Sequence, residues 1–547
     1  MKSTLRGADV VARTLAHAGI ERLFSLSGNH IMSIYDATLD TGIDIVHVRH
    51  EAAAVHMADA WARLSGEAGI ALLTGGPGHA NGVSALFTAL SSESPIVLIS
   101  GHAPLSQLGS GAFQEMRQAD IAEPLTKASW VVSELATLGD AIGRALRIAV
   151  SGRPGPVHIS VPDDLLDAVI DTEAFPLPPA DAFKRVPQPL PASLAKEFMD
   201  ILGAAKRPLI LTGPFAATRA AGDMVNTLQD ATGVPVVTLE SPRGFNEPCL
   251  GAFAEVLATA DCVLLLGKQP DFTLGFLKPP IVDKSCRLLQ IDPDETALQR
   301  MNAAAPAFEH LPVQFRADAV SATEALVAQA ASRHSGAAWR DEVAQAIHYR
   351  PAEWETARGA HQNSLHAVEV CAAIQPLLDA HPDAVLICDG GEFSQWAQAC
   401  LQAGHRVING PAGAIGAGLP FAMAARLAYP DSPVISIMGD GSIGFHLAEF
   451  DTAVRHDLPF VAVVGNDACW NAEYQIQLRK YGPERTVGCE LLSTRYDRVA
   501  EVLGGHGEYV TNAGALADAL RKANASGKPA CVNIAVDRTP APVIRRQ

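Results

Sequence analysis

Short, unbroken apolar runs recur along the whole chain, and they leave few folds open. IDIVHVR, AGIALLTG, SPIVLISG and PVHISVP fall in the first third. RPLILTG, VPVVTL, DCVLLLG and CRLLQID fall in the middle, and AVLICDGG, SPVISIMGDG, PFVAVVGND and ACVNIAV in the last. A strand with one wet face alternates apolar and polar residues, whereas a run that is apolar throughout has both faces covered. Helical patterns separate the runs, so the expected fold is α/β, with three doubly wound parallel-sheet domains. Two stretches mark the joins: the proline-rich EAFPLPPADAFKRVPQPLP (Glu173–Pro191) and the charged HSGAAWRDEVAQAIHYRPAEWE (His334–Glu355). They place the domains at 1–172, 192–334 and 356–547.

Composition narrows the function classes. The 547 residues are 48% apolar and 18% charged, the balance of a well-buried globular protein. A net charge of −17 argues against a nucleic-acid footprint and against an anionic membrane surface. No apolar run is long enough to cross a membrane, and MKSTLRGADVVARTLAHAG at the N-terminus lacks the layout of a signal peptide. Nine cysteines without a C-x-x-C pair point to reduced thiols in a cytoplasmic protein, rather than to disulfides or a zinc site.

In parallel sheets, ligands gather beyond the carboxyl ends of the strands. Asp440 follows VISIMG inside the turn Gly439-Asp440-Gly441, and Asp467 follows VAVVGN. Magnesium takes oxygen ligands, typically one or two carboxylates plus substrate phosphates. Glycines beside the acids let phosphate oxygens approach the backbone. GDG alone reads as a tight turn with a solvated aspartate, and the second acid at a neighbouring strand end shifts the reading toward a metal.

GDG followed, after a spacer from Ser442 to Gly465, by Asn466-Asp467 resembles the thiamine diphosphate motif. On that motif the chain is identified as a member of the thiamine-diphosphate-dependent enzyme superfamily, acetolactate-synthase-like group. The resemblance covers the whole chain and implies pyrimidine-binding, central Rossmann-like and diphosphate-binding domains, in that order. It implies magnesium held by Asp440, Asp467 and the backbone carbonyl of Cys469, with Gly439, Gly441 and Ser442 also at the cofactor. Asp467 stands where the family more often has asparagine. HVRHEAAAVHMADAWARLSG resembles the segment whose glutamate, here Glu51, hydrogen-bonds the aminopyrimidine and drives formation of the C2 ylid. Without the family, Glu51 reads as an ordinary helix-start acid. NGPAGAIGAGLPFAMAARLA matches the loop that bends the cofactor, which implies Ile415 as wedge and the Gly413 carbonyl as acceptor for the 4′-amino group. DGGEFSQW matches the diphosphate cradle, giving Gly390, Gly391 and Glu392. The family further implies a homodimer or homotetramer, with each site at a subunit interface.

The reaction is less constrained. FSLSGNHIMSIYD resembles the benzaldehyde lyase loop, which would put Asn29 and His30 near C2, and His30 reads either as a proton shuttle or as a core histidine. GAFQEMRQAD resembles the Phe-Gln pair of acetolactate synthases, here Phe113 and Gln114. Gln114 would orient a substrate carbonyl, or else belongs to a polar surface turn. Trp470 and Tyr474 face substrate or pack in the core, and TGGPGHANGV reads first as structural. Family members bind FAD or ADP in the central domain, but here Lys268 in GKQPDFTLGF and a shortened LGAFAEVLATAD favour a purely structural domain. The leading expectation is a carbon–carbon lyase or carboligase acting on 2-keto acids or 2-hydroxy ketones. One alternative is a relative of 2-hydroxyacyl-CoA lyase or oxalyl-CoA decarboxylase, acting on an acyl-CoA whose phosphates meet Arg545 and Arg546 in the tail PVIRRQ. Another is a non-catalytic cofactor-binding homologue.

Overall fold

A computed structural model describes residues 4–171, 175–330 and 336–546. The expected domain limits at 172 and 334 lie outside the described residues. The chain divides into two compact units, Met1–Pro187 and Gln188–Gln547.

The first unit holds a parallel sheet of β2 (Arg22–Leu26), β3 (Asp44–His47), β4 (Gly69–Leu73), β5 (Ile96–His102), β6 (Ala128–Val131) and β7 (Val157–Pro162). Their order is β3-β2-β4-β5-β7-β6. One departure from parallel pairing is a two-stranded ribbon of β1 (Thr4–Arg6) and β8 (Val169–Asp171), which is antiparallel. Antiparallel strands need no crossover helix, so such a ribbon can tie two distant segments directly. The helix Glu51–Ser65 is rich in alanine and buried on nearly every side. Its small side chains permit close approach to the sheet: a Cβ on Gly69 would fall 2.0 Å from the carbonyl oxygen of Ala58.

The second unit holds two parallel sheets. The central one comprises β9 (Pro208–Thr212), β10 (Val236–Thr238), β11 (Cys262–Leu266), β12 (Arg287–Ile291) and β13 (Val313–Phe315), ordered β10-β9-β11-β12-β13. Val263 and Leu265 on β11 join one apolar cluster, while Cys262, Leu264 and Leu266 join another across the sheet. Burial of both faces explains why CVLLL shows no alternation. The last sheet comprises β14 (Val385–Cys388), β15 (His405–Ile408), β16 (Val434–Gly439), β17 (Val461–Asn466), β18 (His506–Val510) and β19 (Ala530–Ala535), ordered β15-β14-β16-β17-β19-β18.

Every apolar run quoted above contains a strand, and all three large sheets are parallel throughout. The runs do not reveal β2, β6, β13, β15 or β18. All nine cysteines are free. Among the described residues, no helix is long and apolar enough to cross a membrane.

Candidate functional site

In the last sheet the chain leaves β14 and β16 in opposite directions, β15 flanking one and β17 the other. A crevice beyond such a switch point is where ligands settle in α/β sheets. A cavity of about 230 Å³ opens there. Gly390, Gly391, Glu392, Gly413, Ile415, Gly439, Asp440, Gly441, Ser442, Asp467 and Cys469 all line it.

Parallel pairing sets Gly439 opposite Gly465, so Asp440 and Asp467 leave adjacent strands almost level. Asp440 is buried, and its Oδ2 has no hydrogen-bond partner among the described residues. Burial pushes the Asp440 carboxyl up to about 6. Burial, with the charge of Asp440 beside it, pushes Asp467 up to about 8. Two crowded carboxylates, one with an orphaned oxygen, gain strongly from a shared cation. Among the described residues, no group of three His, Cys, Asp or Glu side chains could hold a metal. An ion at this pair would therefore complete its shell with backbone or ligand oxygens, as magnesium does. The turn beneath is tied down from several sides. Asn466 Oδ1 accepts the Ala468 N–H at 3.2 Å, and Arg538 donates to the carbonyls of Asp467 (3.0 Å) and Ala468 (3.1 Å). The Cys469 amide favours the ionised form of both acids.

Asp389, directly after β14, organises the opposite wall. Its Oδ1 accepts the N–H of Gly390 at 2.6 Å, both of its oxygens accept that of Gly416 at 3.0 Å, and Oδ2 accepts that of Gly418 at 3.0 Å. It meets no countercharge among the described residues, and burial pushes it up to about 6. Gly413 and Gly416 hold φ of +66° and +95°, which a side chain would resist. Asn409 donates to the Ala414 carbonyl at 2.8 Å and fixes the bend that presents Ile415. Gly390 leaves room for it, since a Cβ there would lie 2.3 Å from Ile415 Cγ2. Gly391, at φ +98°, caps the helix Glu392–Cys400. The first turns of that helix and of Asn471–Tyr481 line the cavity. The first N–H groups of a helix have no intrahelical partners and suit phosphate oxygens. Trp470 lies over Gly441, where a Cβ would meet the indole at 2.5 Å. Tyr474 faces Arg538, whose guanidinium carbon is 5.7 Å from the ring centre.

The first unit gathers the remaining candidates at its own switch point, between β2 and β4. His30 is buried, with Nδ1 3.3 Å from Thr74 Oγ1 and its ring stacked on Phe113 at 6.0 Å. Burial lowers its pKa, so the imidazole is neutral at neutral pH. Asn29 is exposed on the same turn. Glu51 is the first residue of its helix, and its Oε2 accepts from Asn81 Nδ2 at 3.1 Å. Gly76 packs on Gln114 and Gly78 on Glu51, at 2.7 and 3.4 Å from where their Cβ atoms would stand. The TGGPGHANGV loop, read from sequence as structural, thus joins Glu51 to Gln114 and supplies Asn81.

Family models match three stretches of the chain. They are described as the thiamine pyrophosphate enzyme N-terminal TPP binding domain (residues 5–121), central domain (195–312) and C-terminal TPP binding domain (389–534). A probable acetolactate synthase of Mycobacterium bovis is 31% identical, over 98% of this chain and 96% of its own length. This chain belongs to the thiamine pyrophosphate enzyme family. The 2-hydroxyacyl-CoA lyases 2 of Caenorhabditis elegans and Homo sapiens are each 30% identical, over 98% of this chain and 90% and 91% of theirs. The cofactor of this thiamine pyrophosphate enzyme is thiamine diphosphate, the same molecule under its other name.

Two cations offered by the sequence are already engaged. The Lys268 ammonium bonds both oxygens of Asp271 (3.0 and 3.1 Å) and the Gln269 carbonyl (3.1 Å). The Arg546 side chain and backbone both bond Glu255, each at 2.8 Å. Arg546, offered from sequence as a phosphate contact, thus pairs through Nε and its backbone N–H with an acid on the central domain. Asp389, Asn81 and Asn409 lie inside quoted motifs and Arg538 outside them, yet the motifs single out none of the four as a candidate, because their partners are backbone groups or residues far away in sequence.

Proposed function

We propose that this enzyme is a carbon–carbon lyase or carboligase of the acetolactate-synthase-like type, acting on 2-keto acids or 2-hydroxy ketones. The observation that carries the reading is the pair of crowded strand-end carboxylates, with the orphaned Oδ2 of Asp440, on a cavity walled by helix N-termini. Asp440 and Asp467 bind magnesium, with the Cys469 carbonyl as a further ligand. Gly390, Gly391, Glu392, Gly439, Gly441 and Ser442 receive the diphosphate, and Gly413 and Ile415 hold the ring system. When bound, thiamine diphosphate supplies a carbon nucleophile that attacks a carbonyl carbon. Glu51 holds a proton at its carboxyl toward the pyrimidine, and Asn81 orients that carboxyl. Gln114 positions the substrate carbonyl, and neutral His30 exchanges a proton with the substrate oxygen beside exposed Asn29. We further propose a cytoplasmic homodimer or homotetramer in which Glu51 of one copy serves the diphosphate domain of another. The nematode and human relatives keep an acyl-CoA substrate as the second reading.

The test combines binding with product analysis. Calorimetry should show thiamine diphosphate binding that depends on magnesium and weakens in Asp467→Ala. Unchanged binding in that variant, or in the presence of chelator, refutes the metal assignment. Pyruvate should yield acetolactate or acetoin by mass spectrometry. Turnover of a 2-hydroxyacyl-CoA but not of pyruvate overturns the main reading in favour of the second.

A further inference from the structure

The central sheet also reaches this cavity. Ser241, Pro242 and Arg243, on the loop after β10, form part of its wall. The loop is firmly held. Buried Glu247 accepts the N–H groups of Glu240 (3.3 Å) and Ser241 (3.2 Å), and Ser241 Oγ accepts that of Arg243 (3.0 Å). Arg406 on β15 pairs with both Glu240 and Glu247, fastening the loop to the last sheet.

Among the described residues, Arg243 is the only lysine or arginine lining the cavity, beside the acids Asp389, Glu392, Asp440, Asp467 and Glu473. Its side chain is 45% exposed, and its guanidinium makes no hydrogen bond among the described residues. Its ion pair with Glu392 spans 3.6 Å, too long for a hydrogen bond. A guanidinium carries five donors in a planar fork suited to carboxylate or phosphate. Here the fork is unspent, on a wall whose other charges would repel an anionic substrate.

We propose that Arg243 is a specificity-determining residue that recognises an anionic oxygen group on the substrate, either the carboxylate of a keto acid or a phosphate of an acyl-CoA. This rests on the thiamine diphosphate reading of the same cavity. The fixed loop sets the position of the fork, and the loose Glu392 contact keeps it from folding back into water. An incoming anion replaces that contact with two charge-assisted hydrogen bonds.

The experiment compares wild type, Arg243→Gln and Arg243→Lys, each loaded with magnesium and thiamine diphosphate. Calorimetric affinity for thiamine diphosphate is measured first and should agree within about twofold across the three. Oxamate, a keto-acid mimic without a reactive ketone, and coenzyme A are then titrated separately. The probe that binds wild type should bind Arg243→Gln roughly 10- to 100-fold more weakly, with partial recovery in Arg243→Lys. Loss for oxamate assigns a carboxylate, and loss for coenzyme A assigns a phosphate. Equal affinity in wild type and Arg243→Gln, or no binding of either probe to wild type, overturns the proposal. So does an Arg243→Gln variant that loses cofactor rather than probe. Failure of wild type to bind thiamine diphosphate would sink the proposed function itself; normal cofactor binding with unchanged probe affinity sinks only the role of Arg243.

Discussion

Replacing Asp389 with asparagine should separate the stability of this protein from its cofactor binding. Asp389 receives the amides of Gly390, Gly416 and Gly418 at 2.6 to 3.0 Å, divided over both of its oxygens. An asparagine in the same pose turns one oxygen into an amide donor facing donors. At least one buried N–H then goes unpaired, which costs roughly 1–3 kcal/mol. The opposing effect is electrostatic. Burial raises the aspartate from 3.8 to about 6, a shift worth roughly 3 kcal/mol. The unfolded chain gives up this proton first, so between about pH 4 and pH 6 the folded state holds more protons than the unfolded one. Wild-type stability from this group therefore falls as pH rises through that window, and the penalty is complete above about pH 6. Asparagine does not titrate. The variant should be less stable than wild type at pH 4 by the hydrogen-bond cost alone. It should gain on wild type by roughly 3 kcal/mol by pH 7, ending level or ahead. Urea midpoints of both proteins, taken in steps from pH 4 to pH 7.5, measure this, because other groups cancel in the difference. Thiamine diphosphate affinity should fall at every pH, since the glycine bend that presents Ile415 loses its anchor. Parallel stability curves would refute the account of Asp389 as an uncompensated buried charge.

Two further outcomes follow from the same geometry. Glu51→Gln should retain bound cofactor while losing most hydrogen–deuterium exchange at C2, followed by proton NMR, and Asn81→Ala should lower that exchange less; exchange at the wild-type rate in Glu51→Gln removes its role. Arg406→Met should destabilise the protein by roughly 3–5 kcal/mol in thermal or urea unfolding, because Glu240 and fully buried Glu247 are left facing each other. Adding Glu247→Gln should recover part of that loss, and no recovery would place the effect in packing instead.

What the amino-acid sequence discloses depends on whether a residue's partner is itself patterned. Asp440 and Asp467 are legible because each ends an apolar run, and parallel pairing of those runs levels Gly439 with Gly465. β2 escapes notice because Ser25 interrupts it, although the hydroxyl is satisfied by the Leu72 carbonyl at 2.6 Å. β6, β13, β15 and β18 lie at sheet edges and are partly exposed, so no unbroken run marks them. Asp389 sits in a quoted motif, yet its partners are three glycine amides, which leave no side-chain signature. Arg243 belongs to a cavity assembled mostly from residues well over a hundred positions downstream.

Cations were the least legible charges, for a physical reason. A long basic side chain finds an acid wherever the fold offers one. Arg546 finds Glu255, Lys268 finds Asp271, and Arg538 finds Glu490 while also holding the Asp467 turn. A short carboxylate at a strand end has no such reach. Backbone direction fixes it in place, and it keeps its charge conflict until a ligand resolves it. Asp440 and Asp467 remain in such a conflict, whereas most of the nearby basic groups do not. The acids of a fold like this therefore report its binding site from sequence, and its cations do so only once their pairing is known. Arg243, on the cavity wall without a hydrogen-bonded side-chain partner among the described residues, is where that second kind of information changes the functional reading.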